Sequence, residues 1–274
     1  MSVLFVQLSD THIREPGRLA YGRLDTAPYL RRAVQSVMSS PQKPLAVVMT
    51  GDLTDFGREQ EYRHLAELIA PLDMPVYLMP GNHDERNGLR AAFPNHHYLG
   101  DGEFVQYEVV IGPIVLLALD TCVPGDSSGE LCDARLDWLE QSLAKHAGKP
   151  VVVAMHHPPF QTLIGHMDNI GMKRGVDRLK DIISRYPNVE RIICGHLHRA
   201  IDVRFAGTIA STTPSPAHQV CLNLTEKADS AWVLEPPAYR VFGWSPSAGI
   251  VTHLAFVGPY DGPYPFRENG KLID

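Results

Sequence analysis

Five short apolar runs, each broken off by a polar cluster, restrict what this chain can become. V-L-F-V-Q-L (3–8) runs into S-D-T-H and L-A-V-V-M (45–49) into T-G-D-L-T-D. V-Y-L-M (76–79) runs into P-G-N-H-D, V-V-V-A-M (151–155) into H-H-P-P, and R-I-I-C (191–194) into G-H-L-H. Runs rich in Val, Ile and Leu that lack strict alternation are strands buried on both faces. Helical patterns lie between them. Asp25 caps one through Tyr29, Ala33, Val34 and Val37; a second carries Tyr62, Leu65, Leu68 and Ile69. A third starts near Asp133 with Leu136, Leu139 and Leu143, and a fourth uses Val176, Leu179, Ile182 and Ile183. Strand, polar loop and helix in repetition predict an α/β layered fold.

The hydrophobic pattern changes along the chain. Segments 104–110 and 114–119, split by I-G-P, form a hairpin pattern. After residue 200, short strand patterns at 201–205, 208–211, 239–243 and 250–257 have no helices between them. They predict a second sheet packed on the first, giving a β-sandwich of two mixed sheets with helices on its outer faces. The ending G-P-Y-D-G-P-Y-P-F is too rich in Gly and Pro for regular structure. The expected division is a catalytic domain at 1–257 and an irregular tail at 258–274 that lies over another surface or contacts another subunit in a homo-oligomer.

The 274 residues suit one large domain, and 44% hydrophobic residues is ordinary for a packed core. The net charge of -6, without a Lys/Arg block, points away from duplex nucleic acid and anionic membranes. The N-terminal apolar run lacks a basic flank and a small-residue cleavage site, so it is expected to be a core strand, not a secretory signal. No stretch has the length of a membrane span. Cys122, Cys132, Cys194 and Cys221 form no CxxC pair. Reduced thiols in a cytoplasmic protein are the expectation, with a Cys122–Cys132 bridge as the alternative.

Ligands in α/β sheets bind beyond the carboxyl ends of the strands. The five clusters end apolar runs there and supply Asp10 and His12; Asp52; Asn82 and His83; His156; and His196 and His198. Carboxylates, imidazoles and an amide oxygen make a mixed N/O set suited to Fe, Mn, Zn or Co. Calcium, which takes oxygen ligands, suits it poorly.

D-T-H, G-D-L-T-D, G-N-H-D, H-H and G-H-L-H, in that order over residues 10–198, resemble the calcineurin-like metallophosphoesterases. The chain looks most like the bacterial class III cyclic-nucleotide phosphodiesterases and the related glycerophosphodiesterases. Its Y-G-R-L-D stretch, H-H-P-P and the H-Q-V at His218 fit that branch. The resemblance implies a four-layer αββα fold and two divalent metal ions. Asp10, His12 and His198 would bind the first metal; Asn82, His156 and His196 would bind the second; Asp52 would bridge them. It further implies hydrolysis of a small phosphodiester by in-line attack of a metal-bridging hydroxide. His83 resembles the family's catalytic histidine, which stabilises the transferring phosphoryl group or protonates the leaving alkoxide. Asp55 matches the acid that orients this histidine in related phosphatases; the alternative is that it caps the following helix.

The metal motifs do not separate a 3′,5′-cyclic nucleotide such as cAMP from a glycerophosphodiester. Substrate choice is assigned to segments 14–22 and 160–173, with Tyr21, Phe160, His166 and His218 as candidate contacts. A phosphomonoesterase or small nuclease on the same site is one alternative, and a metal-free scaffold is another. Phe56 after Asp55, and Asp84 after His83, depart from the protein-phosphatase pattern. His157 is expected in the core or behind the ligands, because the strand pleat turns it away from the side that His156 faces.

Overall fold

Alternation within the strands sets the layers. In the computed structural model, which describes residues 3–225 and 227–273, strand β5 (Ile114–Leu119) is buried at every position. Leu116 and Ala118 belong to one core cluster, while Val115, Leu117 and Leu119 belong to another. Side chains of alternate residues point to opposite faces, so this strand has a core on each side. The first core also takes Phe5 and Leu8, and the second takes Leu136, Leu139, Leu179 and Ile182.

The remaining elements follow in chain order. Strand β1 (Val3–Leu8), helix α1 (Ala27–Met38), β2 (Val47–Thr50), α2 (Glu59–Ile69), β3 (Val76–Met79) and α3 (Arg86–Ala92) precede the hairpin of β4 (Tyr107–Ile111) and β5. Next come β6 (Gly129–Glu130), α4 (Asp133–Lys145), β7 (Val151–Met155), the single turn α5 (Gly165–Asp168), β8 (Met172–Arg174), α6 (Val176–Ser184) and β9 (Val189–Cys194). The last third holds β10 (Ile201–Phe205), β11 (Thr208–Thr212), β12 (Gln219–Val220), β13 (Trp232–Val233), β14 (Ala238–Ser245) and β15 (Gly249–Phe256). A small hairpin, β16 (Arg267–Glu268) and β17 (Lys271–Leu272), lies near the end.

Two large mixed sheets result, ordered β15-β14-β1-β2-β3 and β10-β11-β9-β7-β5-β4. Strands β1, β2 and β3 run parallel, as do β5, β7, β9 and β11. Helices α1 and α2 pack with the first sheet, and α4 and α6 with the outer face of the second. This is the four-layer α/β sandwich expected.

The late strands do not form a sheet of their own. Strands β10 and β11 extend the sheet of β9, whereas β14 returns to pair antiparallel with β1, from Val3 opposite Trp244 to Gln7 opposite Arg240. The first sheet is therefore assembled from the two ends of the chain, and the second from the stretch between them, Tyr107 to Thr212. Phe5 stacks on Phe242 across that seam at a centroid distance of 4.8 Å. Residues 258–266 carry no strand or helix; Tyr264 is 75% exposed and Phe266 87%. All four cysteines are free thiols. Among the described residues, no helix is long and apolar enough to cross a membrane.

Candidate metal centre

All five polar clusters leave the carboxyl ends of parallel strands: β1, β2 and β3 in one sheet, β7 and β9 in the other. The strand ends of the two sheets come together there, with Gln7 Nε2 of β1 donating to Cys194 O of β9 at 2.9 Å. Backbone bonds tie the loops together: the Asp10 amide donates to Gly51 O (3.0 Å), His12 to Asp52 O (3.0 Å) and Gly195 to His156 O (3.0 Å). Asp10, His12, Asp52, His196 and His198 all have positive φ, between 43° and 69°. For residues other than glycine such backbone costs of order 1–3 kcal/mol each, and it persists where the surroundings hold it for a purpose.

Each of four imidazoles is held in one orientation by an oxygen acceptor behind it. His12 Nδ1 lies 3.2 Å from Asp55 Oδ1, His156 Nδ1 2.8 Å from Thr50 O, and His198 Nδ1 3.0 Å from His218 O. His196 bonds the backbone carbonyl of Ile170. With Nδ1 carrying the proton, all four Nε2 atoms are lone-pair donors to the space between the loops. They crowd other acceptors. Nε2 of His12 and Nε2 of His198 are 3.2 Å apart, and Nε2 of His156 is 3.2 Å from Asn82 Oδ1 and 3.3 Å from Asp52 Oδ1. Asp52 Oδ2 sits 3.7 Å from His12 Nε2, and Asp10 Oδ1 sits 3.6 Å from His198 Nε2. Asp10 Oδ2 and His196 Nε2 are buried without a hydrogen-bond partner.

Lone pairs that face one another in a buried site repel unless a cation lies between them. Asp10, Asp52 and His156 have metal-holding spacing, as do His12 and His198 together with His218, and His156 and His196 together with His157. The donor set fits a transition-metal dication better than calcium. Electrostatics agrees. Burial lifts the Asp10 carboxyl to about 6, with His156 opposing and Asp52 adding. Burial and then the neighbouring His156 push His196 down to about 3, so it stays an unprotonated donor. His198 is held well below its ordinary value by burial and His218. On His156, burial is outweighed by Asp52, which raises the imidazole to about 9: without a metal, a proton occupies that corner.

A further carboxylate staples two of the loops. Asp84 accepts from the amides of Leu53 (3.0 Å), Thr54 (3.1 Å) and Gly81 (2.9 Å), and from the hydroxyls of Thr54 (3.0 Å) and Tyr62 (3.2 Å). It thus fixes the turn of Asp52 against the turn of Asn82. Asp84→Ala strands several buried donors at once, and we expect a loss of roughly 3–5 kcal/mol in urea unfolding together with weakened metal uptake.

The other candidates separate. His83 is partly exposed; its amide donates to Asp52 Oδ1 (2.9 Å) and its Nδ1 lies 2.8 Å from Asp55 O. Tyr21, His166 and His218 line a cavity of about 350 Å³ together with His12, Asp52, Asn82, His83, His196 and His198. Phe160 does not line it and packs against the core beneath the second sheet. The Asp55 carboxylate caps no helix: α2 has Arg58 at its N-cap, with Glu61 receiving the Arg58 amide. His157 is wholly buried, at Thr121 Oγ1 (2.8 Å) and Ser127 O (3.1 Å), and steadies the loop whose Ser127 reaches the cavity. Trp232, on β13, also lines the cavity, 5.7 Å from Tyr21 and 5.6 Å from His218 between ring centroids. It sits beyond an irregular loop with no motif beside it, so the sequence carried no signal for it.

The model of the calcineurin-like phosphoesterase family matches residues 3–200. A probable glycerophosphodiester phosphodiesterase of Arcobacter nitrofigilis is 37% identical over 273 residues, covering 99% of this chain and 100% of the relative. A probable cyclic nucleotide phosphodiesterase of Rhodopseudomonas palustris is 35% identical over 262 residues, covering 94% of each. Among solved structures, a dimetal phosphatase of Danio rerio superposes with a TM-score of 0.62 at 17% identity, over 93% of this chain and 99% of that one.

Proposed function

The chain belongs to the calcineurin-like phosphoesterase family, and we propose from that premise that it is a metal-dependent phosphodiesterase acting on small diesters. The observation that carries this is the convergence of carboxylate, amide and imidazole donor atoms on one buried space, where Asp10 Oδ2 and His196 Nε2 have no hydrogen-bond partner. Asp10, His12 and His198 would hold one divalent ion and Asn82, His156 and His196 a second, with Asp52 available to both. Iron, manganese, zinc and cobalt all suit the set. When bound, the metal acidifies water and neutralises phosphate charge.

The protein's own groups do the rest. His83 Nε2 faces the cavity while its Nδ1 is engaged by the Asp55 carbonyl. Protonated at Nε2, the ring donates to the phosphoryl group or the departing alkoxide. Among the described residues, none that lines the cavity is Lys or Arg. A substrate there has only the cations and His83 to balance it, which suits the single charge of a diester and disfavours a polyanionic strand. Tyr21, His218 and Trp232 form one wall, with Met167 and Ile170 also in the lining; it receives the alcohol portion.

Glycerophosphodiester is the substrate class we favour, because a relative so described matches end to end. A 3′,5′-cyclic nucleotide is the second reading, supported by the relative from Rhodopseudomonas and by an aromatic wall on which a base can stack. The catalytic domain spans 1–257 and works in the cytoplasm. Tyr264 and Phe266 of the tail are exposed, and we assign them the role of meeting a second copy.

The test is a substrate panel after loading with Mn²⁺ or Co²⁺: cyclic AMP, glycerophosphocholine, glycerophosphoethanolamine and a dinucleotide, with matched p-nitrophenyl mono- and diesters. The expected order places a glycerophosphodiester first and diester above monoester. Faster monoester cleavage would reassign the site to a phosphomonoesterase, and full metal loading without turnover would favour a scaffold. In the same assay, His83→Ala should keep its metal and lose roughly 10²–10⁴ in kcat.

A further inference from the structure

We propose that Arg14 and Asp55 form a positioning pair for His12, so that the Asp55 carboxylate serves the cation site and not the charge of His83. The inference rests on the metal reading above. The Asp55 carboxylate is divided between two partners: Oδ1 is 3.2 Å from His12 Nδ1, and Oδ2 is 3.2 Å from Arg14 Nη1. His83 Nδ1 is farther from that carboxylate, at 3.8 Å, and instead lies 2.8 Å from the Asp55 backbone carbonyl. A peptide carbonyl fixes a ring but brings no full charge.

Arg14 is itself locked from several sides. Its Nε donates to Glu15 Oε2 at 3.3 Å and lies at ion-pair distance, 2.9 Å, from Oε1 of the buried Glu61, whose other oxygen accepts the amides of Phe56 (2.9 Å) and Arg58 (3.1 Å) at the start of α2. Nη2 reaches Glu15 at 3.3 Å, and the guanidinium lies 4.5 Å from the centre of the Phe56 ring. The Arg14 carbonyl receives His64 Nδ1 at 2.7 Å. A planar fork held at this many points leaves Asp55 one free oxygen and one direction in which to use it. That direction is the proton of His12 Nδ1, which sets the tautomer and strengthens Nε2 as a donor. The first turn of α2 is thereby connected to the metal centre through Glu61, Arg14 and Asp55.

The experiment compares Mn²⁺ binding to the metal-stripped protein and to Asp55→Asn, Asp55→Ala, Arg14→Gln and Arg14→Lys, reading free Mn²⁺ by electron paramagnetic resonance. Near-UV circular dichroism selects folded samples. One class of site should weaken by about 10–100-fold in Asp55→Ala and by about tenfold in Arg14→Gln, while the other class holds. Arg14→Lys should fall between Arg14→Gln and the parent, because an ammonium cannot span both carboxylates. Excess Mn²⁺ should restore kcat in each. Unchanged Mn²⁺ affinity in Asp55→Asn and Arg14→Gln overturns the proposal. If kcat stays lost at saturating metal, the carboxylate works on His83; if only thermal stability falls, the pair is scaffold. A parent protein that takes up no Mn²⁺ fails one step earlier and removes the metal reading with it.

Discussion

Asp52→Asn should leave a folded protein whose turnover at saturating Mn²⁺ is lower by roughly a thousandfold or more. Asp52 reaches both donor groups, with Oδ1 at 3.3 Å from His156 Nε2 and Oδ2 at 3.7 Å from His12 Nε2. Burial works against its charge, yet the imidazoles of His156 and His83 hold its carboxyl well below the usual range. The substitution keeps shape and removes one negative charge and one acceptor. Several kcal/mol of transition-state stabilisation depend on correctly held cations, and about 4 kcal/mol is a thousandfold in rate. Metal content by elemental analysis and kcat on a p-nitrophenyl diester are the measurements. Full metal occupancy with near-parental turnover would remove Asp52 from the centre.

Gly81→Ala should be comparably damaging, for a steric reason. A Cβ at this position would sit 2.2 Å from the Asp52 amide nitrogen, 2.2 Å from Asp52 Oδ1 and 2.7 Å from His156 Cε1. All three atoms belong to Asp52 and His156, which must keep their places, and one is backbone, so no rotamer change relieves the overlap. The loop carrying Asn82 and His83 must move away from Asp52. Displacement of that size loses Asn82 from the donor set and breaks the bond from the His83 amide to Asp52. We expect weak metal retention, a loss of about 1–3 kcal/mol in stability, and kcat down by at least 10². Substituting Gly102, which lacks a positive φ and whose added Cβ would meet only Phe104 O at 3.9 Å, is the control for a generic glycine effect.

These outcomes rest on features that differ in how plainly the chain displays them. The buried strands were legible because a strand covered on both faces needs apolar residues at every position, as β5 and β7 have. The helices followed from their apolar stripes. Membership of the late strands in one sheet or the other was not legible. Periodicity reports that β10, β11, β14 and β15 have buried and exposed faces, but not which strand each will pair with. The answer came from partner choice: β14 lies along β1, nearly the whole length of the chain away.

At the site the same division holds. Donor types and their placement at strand ends could be read from D-T-H, G-D-L-T-D, G-N-H-D, H-H and G-H-L-H, because transition-metal chemistry demands imidazoles and carboxylates and α/β topology gathers strand ends. Only the tertiary structure decided that the Asp55 carboxylate turns to His12 and Arg14, that Phe160 packs against the second core, and that Trp232 lines the cavity. A hydrogen-bond partner is chosen by differences of less than 1 Å, 3.2 against 3.8 Å for Asp55. Residue order carries the kind of chemistry; distances on that scale exist only once both sheets are packed.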